Sequence, residues 1–395
     1  TTYQSEPPTQ EDPILVLDEG GNLVCFNQTT SDPDGDRVTN IYNWYRNNTS
    51  ITNLLLPFDT NSTTIAKDYS GYNDNGIIVR GVTWTSNGKV GGAYKFNRGF
   101  IQIPGANKLD GGGTWSEITV KHWIYLTTYQ SVTRTIARIP SYEIGISGNK
   151  IFAGIWIATG NPMQSGYNRV TYETPLNTST WYHVALTYKS GENLTLYVNG
   201  VAVATTQVSG NIQTSGSNPL YIGWFDYFKG IIDEVRIYPK SLSPQQIYQN
   251  YLETKDGLSN SSTIVSQEIN VGDLWRCEVT PNDSYQDGTT KSSNTITIGY
   301  NNKPSAKDLT ITPTTPNTND NLTANYTYSD ADGDPEFGTE IRWYKDGFLQ
   351  PEFNDILEIP SSATAIGETW HFTARPKDGT DFGELQVSPT VTVVL

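Results

Sequence analysis

The chain has 395 residues, too many for one hydrophobic core, so roughly two to four domains are expected. Thirty-five Gly, 21 Pro, 24 Tyr and 10 Trp against one Met and two Cys describe a turn-rich, aromatic, all-β composition. A net charge of −15 argues against nucleic acid, whose phosphates select Lys and Arg, and no apolar run reaches the length of a membrane span.

The first residues, "TTYQSEPPTQ", lack the basic and apolar regions of a signal peptide, so a secreted protein would already have lost it. Residues 22–48 then read as strand, acidic loop, strand: "NLVCFNQTT", "SDPDGD", "VTNIYNWYRNN". From about 55 to 258 strands and turns alternate in the manner of a jelly roll. "SEITVKHWIYL" sets Ile118, Val120, His122, Ile124 and Leu126 on one face, which makes His122 a core histidine. "WYHVALTYKSGENLTLYVNGVAVATTQ" predicts three strands with a type I′ hairpin turn at Asn199-Gly200. "GIIDEVRIYPKSLSPQQIYQNYLE" predicts a strand and a short helix, capped by Ser243, with Pro244 at its first position and Gln246 completing a capping box.

Two later stretches repeat the first motif. "NLTANYTYSDADGDPEFGTEIRWYKDG" (321–347) runs beside 22–48, with Trp343 matching Trp44. "GDLWRCEVTPNDSYQDGT" (272–289) runs beside "GETWHFTARPKDGTDFGE" (367–384), matching Trp275 to Trp370 and Cys277 to Phe372. The paired Trp lie 370 − 343 = 27 residues apart in the second copy but 275 − 44 = 231 in the first. The excess, 231 − 27 = 204 residues, is a domain set into a loop of the first copy, where chain ends meet and insertion is tolerated. The expected domains are 1–54 with 259–300, then 55–258 inserted, then 301–395.

Four segments of the insert carry a family resemblance: "KDYSGYNDNG" (67–76), "GKVGGAYKFNRGFIQIPG" (88–105), "WYHVALTYKSGENLTLYVNG" (181–200) and "GIIDEVRIYPKSLSPQQI" (230–247). They resemble concanavalin A-like, laminin-G-like domains, although Asn97 stands where such domains often carry Asp. The flanking copies resemble immunoglobulin-like or polycystic-kidney-disease-like modules of archaeal and bacterial surface proteins. The fold class expected is therefore all-β: an immunoglobulin-like sandwich interrupted by a concanavalin A-like jelly roll, then a second immunoglobulin-like sandwich. Cys25 and Cys277 flank Trp44 in the Cys…Trp…Cys order of such a sandwich, so a bridge between its sheets is expected, with two buried free thiols as the alternative. Ala324 and Phe372 take their places in the second copy.

Aspartates at alternate positions can aim three carboxylates at one hard cation. Asp32, Asp34 and Asp36, and again Asp330, Asp332 and Asp334, are thus candidate Ca²⁺ ligands, with a solvated turn as the alternative. In an immunoglobulin-like sandwich the opposing loop lies at the same pole; it carries Asp283 and Asp287 in one copy and Asp378 and Asp381 in the other. In the insert, the resemblance implies a further Ca²⁺ site near Asp68 and Asp233, unless Asp233 hydrogen-bonds the N-terminal turn. The aromatic run "YIGWFDYFKG" offers Trp224, Phe225 and Tyr227 as a glycan platform or, packed inward, as core; Phe228, Trp84, Trp123 and Trp156 pose the same choice.

Enzyme signatures are thin, and a hydrolase would need two facing carboxylates in a groove that the pattern does not offer. No stretch carries the E-x-D-x-x-E of concanavalin-like glycoside hydrolases, and the three His (122, 183 and 371) make no zinc-type spacing. Ten sequons, at Asn27, Asn47, Asn48, Asn61, Asn177, Asn193, Asn260, Asn282, Asn321 and Asn325, point to a glycosylated, extracellular cell-surface protein. The role expected is structural or adhesive, as a subunit of a filament, sheath or surface array whose partners are its own copies or neighbouring surface proteins. The alternative is a carbohydrate-binding, lectin-like module of a secreted protein. The first and last stretches read as junctions of a longer array, and "TTYQSEPPTQED" lacks the apolar alternation a donated strand needs.

Overall fold

A computed structural model describes residues 5–105, 109, 115–160, 166–225, 228–299 and 301–395. The chain divides into two compact units, Thr1–Ile298 and Gly299–Leu395.

The first unit begins as a small two-sheet sandwich. One sheet joins strands Thr9–Leu17, Leu23–Ser31 and Ser261–Ile264; the other joins Lys291–Ser292, Leu274–Asn282, Thr39–Arg46 and Thr49–Ser50, with Ile296–Thr297 also paired to Leu274–Asn282. Alternating apolar residues from both sheets meet as a core of Leu15, Leu23, Tyr42, Trp44, Ile264, Trp275 and Val279. Cys25 and Cys277 are bridged across it with Cα atoms 6.4 Å apart, so the sheets are covalently joined. Trp44 packs edge-on against Trp275, ring centroids 6.3 Å apart, and its indole N–H donates to Ser262 Oγ at 2.9 Å.

Between Ser50 and Ser261 the chain builds a second, larger sandwich. One eight-stranded sheet includes, edge inward, Tyr167–Thr171, Lys150–Trp156, Tyr142–Gly148, Gln130–Arg138 and Leu220–Trp224. The other includes Val201–Gln207, Asn193–Val198, Trp181–Lys189, Glu117–Leu126 and Gly230–Tyr238. Ile118, Val120, Ile124 and Leu126 from one meet Ile136, Ile144, Ile151, Ile155 and Ile222 from the other in a common core. His122 lies there too, fully buried, bonded through Nε2 to Thr135 Oγ1 at 2.8 Å, and burial pushes its pKa down to about 3. It is a neutral core residue. Asn199 and Gly200 adopt φ of 50° and 78°, which makes the hairpin turn between Asn193–Val198 and Val201–Gln207.

The helix Pro244–Thr254 starts as its sequence predicts at Ser243, whose Oγ accepts from Gln246 N at 3.1 Å, with Pro244 in the first turn. Gln246 does not complete a capping box. Its amide instead donates to Asn250 Oδ1 and Thr263 O and accepts from Val265 N, tying the helix to the returning strand, while Ser243 N goes to Glu268 Oε1.

Strand Thr39–Arg46 shows what holds the two sandwiches together. Six successive residues, Thr39 to Trp44, are buried on both faces. One face enters the small core; on the other, Asn43 donates to Ser70 O of the jelly roll. The equivalent strand of the second unit, Glu340–Lys345, is buried only at Ile341 and Trp343.

The second unit repeats the small sandwich strand for strand: Ser305–Thr312, Leu322–Ser329 and Glu358–Ile359 against Phe348–Leu349, Glu340–Lys345, Thr369–Arg375 and Gln386–Val387. Trp343 and Trp370 meet edge-on at 6.4 Å, and Phe372 packs on Trp343 at 5.3 Å, where the first copy has a half-cystine.

Candidate functional site

At the pole of each small sandwich the acidic loops converge around the segment that leads into the first strand. In the first, Asp32 Oδ1 accepts the amides of Asp34 and Asp36, and Asp283 Oδ1 accepts those of Tyr285 and Gln286. Glu6 N donates to Asp34 Oδ2 and Ser5 Oγ to Asp283 Oδ2, bridging the two loops. In the second, Asp330 Oδ1 accepts from Asp332 and Asp334, Asp378 Oδ1 from Thr380 and Asp381, and Asn302 and Asn301 bridge them through Asp332 and Asp378. One carboxylate oxygen from each of Asp32, Asp34 and Asp36 lies within 4.8 Å of the others, as for Asp330, Asp332 and Asp334. Asp32 Oδ2 and Asp330 Oδ2 are buried atoms without a hydrogen-bond partner. Such a donor set fits a hard cation. Asp287 does not join its pole: it faces the jelly roll, accepting from Tyr69, Asn282 and Lys67.

The two acids singled out in the jelly roll each accept several hydrogen bonds. Asp68 is buried and its oxygens accept from Leu55 N, Ser70 N, Ser70 Oγ and Asp74 N. Asp233 is wholly buried; Oδ2 accepts from Lys89 N and Val90 N and Oδ1 from Glu234 N. Burial first, then Glu234 and Asp59, raises its pKa well above the usual carboxylate range. It fastens the loop at 89–90, and the bulge at Glu234 (φ 53°) lets the next acid pair with Arg236 at 2.8 Å.

The outer surfaces of the jelly roll differ. On one sheet, outward-facing Lys121, Trp123, His183 and Tyr197 are buried, and the helix packs there, with Trp123 donating to Thr254 Oγ1. The other sheet carries a row of aromatic and charged groups. Gly223, at φ 74°, breaks the alternation of its strand, so Tyr221 and Trp224, three apart, share a face and stack at 4.4 Å and 18°. Phe225 stands beside Trp224, half exposed. Farther across, the rings of Phe152 and Tyr167 lie over Gly145 and Gly154, where any Cβ would come within 2.5 Å of them. Tyr167 OH and Arg134 Nε each bond Glu143, both at 2.6 Å, and Trp156 packs on Tyr167 at 4.4 Å.

Of the residues read as a platform, then, Trp224 and Phe225 lie on this face, while Tyr227 lies outside the described residues. Trp156 joins them, Phe228 and Trp123 are buried, and Trp84 is half-buried with its N–H on Phe58 O. Sequence reading missed Arg134, Glu143, Phe152, Tyr167 and Arg169. The signal available was Gly145 and Gly154 on the same outer face of neighbouring strands, the mark of side chains crossing close overhead.

Among the sequons, Asn47, Asn48, Asn61, Asn177, Asn193, Asn260, Asn321 and Asn325 are exposed and Asn27 is half-buried. Asn282 is withdrawn as an acceptor: it is wholly buried, and its amide donates to Thr60 Oγ1 and Asp287 Oδ1.

Residues 97–248 match the family described as the concanavalin A-like lectin/glucanases superfamily. That stretch lies in the larger sandwich, whose all-β fold with two eight-stranded sheets is consistent with a concanavalin A-like domain. No curated protein matches the chain in sequence. Among solved structures, domain 4 of AbnA, an extracellular GH43 arabinanase of Geobacillus stearothermophilus in complex with arabinotriose, is 23% identical over 50% of this chain and 96% of its own, with a TM-score of 0.40. The binding domain of botulinum neurotoxin DC in complex with rat synaptotagmin II is 11% identical over 87% and 95%, at 0.43. That of botulinum neurotoxin serotype G is 15% identical over 54% and 50%, at 0.39. No described helix is long and apolar enough to cross a membrane.

Proposed function

We propose that the chain is an extracellular, cell-surface adhesive protein whose jelly roll binds carbohydrate and whose immunoglobulin-like sandwiches are its structural modules. The observation that carries this is the stacked Tyr221–Trp224 pair with half-exposed Phe225, on the sheet opposite the one packed by the helix. Flat aromatic faces stack on sugar rings. Hydrolysis would need two facing carboxylates with free oxygens, whereas both oxygens of Glu143 are engaged by Arg134 and Tyr167. A glycan array with the purified chain tests the reading. Saturable binding that Trp224→Ala abolishes is expected; absence of binding to any glycan overturns it.

A second reading concerns the poles, and the paired observation of unpartnered buried oxygens on Asp32 and Asp330 favours it. Asp32, Asp34 and Asp36, with Asp283 beside them, would hold one Ca²⁺; Asp330, Asp332 and Asp334, with Asp378, would hold another. The ion would neutralise crowded carboxylates and stiffen each pole. A chelator should then lower the melting temperature; an unchanged melting curve rejects the site. Filament, sheath or array assembly is the setting we propose for such a molecule, with glycans on its exposed sequons. Electron microscopy of concentrated, Ca²⁺-loaded protein tests it, and a uniform field of single particles counts against it.

A further inference from the structure

We propose that the open sheet of the jelly roll recognises carboxylate-bearing glycans, polymers of uronic acids, along a ladder of alternating arginine and phenylalanine. The inference rests on the carbohydrate-binding reading above and names its ligand class.

The guanidinium of Arg169 lies 3.8 Å from the ring centroid of Phe152. That of Arg134 lies 6.0 Å from the same ring and 4.4 Å from Phe225. The order across the sheet is thus Arg169, Phe152, Arg134, Phe225. Phe152 sits between core residues Ile151 and Ala153 and so points away from the core, yet it has no exposed surface. Two cations roof it. A guanidinium stacked by its face leaves its N–H edge free, and that edge matches a carboxylate in a bidentate fork.

The charges do not cancel. Glu143 takes Arg134 through Nε, while Arg134 Nη1 is buried without a partner. Arg169 is exposed, and its Nε reaches Thr171 Oγ1 at 3.3 Å. Among the described residues of this row, Arg134 and Arg169 against Glu143 leave one excess positive charge, in a chain whose net charge is −15. A neutral sugar covering Arg169 would leave its guanidinium without a charged partner, at a cost; a uronate pairs it. Trp224, beside Phe225, supplies the stacking surface for the adjoining ring.

Titration calorimetry of the full chain against oligogalacturonate, neutral galactan of equal length and dextran sulfate tests the assignment. Oligogalacturonate should bind at least about tenfold more tightly than galactan. Arg169→Gln should remove about that factor at an unchanged melting temperature, and Arg169→Lys should restore only part, because an ammonium cannot make the fork. Equal affinity for galactan and oligogalacturonate overturns the ladder as a carboxylate site but leaves carbohydrate binding standing. Dextran sulfate binding as tightly as oligogalacturonate, indifferent to Arg169→Gln, reduces it to non-specific polyanion attraction and also overturns it. If no sugar binds at all, both readings fall.

Discussion

Single residues carry the sharpest consequences. Asp59 is buried, accepts Gly92 N through Oδ1, and has Oδ2 without a partner; burial first, then Glu234, raises its pKa well above the ordinary value of 3.8. The folded state therefore holds a proton that the unfolded state releases, and stability falls as pH rises above about 4. Asp59→Asn should raise the unfolding free energy at pH 7 by about 1 kcal/mol or more and flatten that decline, as chemical unfolding between pH 4 and 7 would show. At Asn282, glycopeptide mapping should find no sugar even when Asn177 and Asn193 are occupied. What was legible at this scale was side-chain type and spacing: His122 belonged to an apolar face and proved to be core. The partners of Asp68 and Asp233 were not legible, because most are backbone amides that the fold brings in, and no pattern of residue types announces those.

At the scale of elements, Gly223 decides the aromatic face proposed to bind glycan. Its positive φ reverses the strand's alternation, and its missing Cβ avoids the ring of Phe96. Gly223→Ala should cost about 1–3 kcal/mol, read from thermal melts, and weaken sugar binding by separating Tyr221 from Trp224. The duplicated strands were legible because Trp44, Trp275, Trp343 and Trp370 recur in register, and each pair packs edge-on in its own core. The Arg–Phe ladder was not, since it depends on which strands neighbour one another across a sheet. Gln246 shows the same limit: the S-x-x-Q spelling fits a capping box, but tertiary contacts with Thr263 and Val265 claim the side chain.

Across the whole molecule, two compact units differ in one covalent respect: only the first is bridged, by Cys25 and Cys277. Calorimetry should resolve two transitions, and reductant should lower one of them by about 4 kcal/mol of stability while leaving the Phe372-packed copy unmoved. An inserted domain was expected from a 204-residue excess in Trp spacing; the strands of the two eight-stranded sheets lie between Ser50 and Ser261.

That bridge has a mechanical meaning. Tension drawn along the backbone passes from Cys25 to Cys277 through two sulfur atoms within the first sandwich, so residues 26–276 lie outside the covalent load path. The sugar-binding face would keep its shape while the tether is pulled. In single-molecule stretching, the 251 hidden residues, worth about 900 Å at about 3.6 Å each, should appear as added length only after the disulfide is reduced.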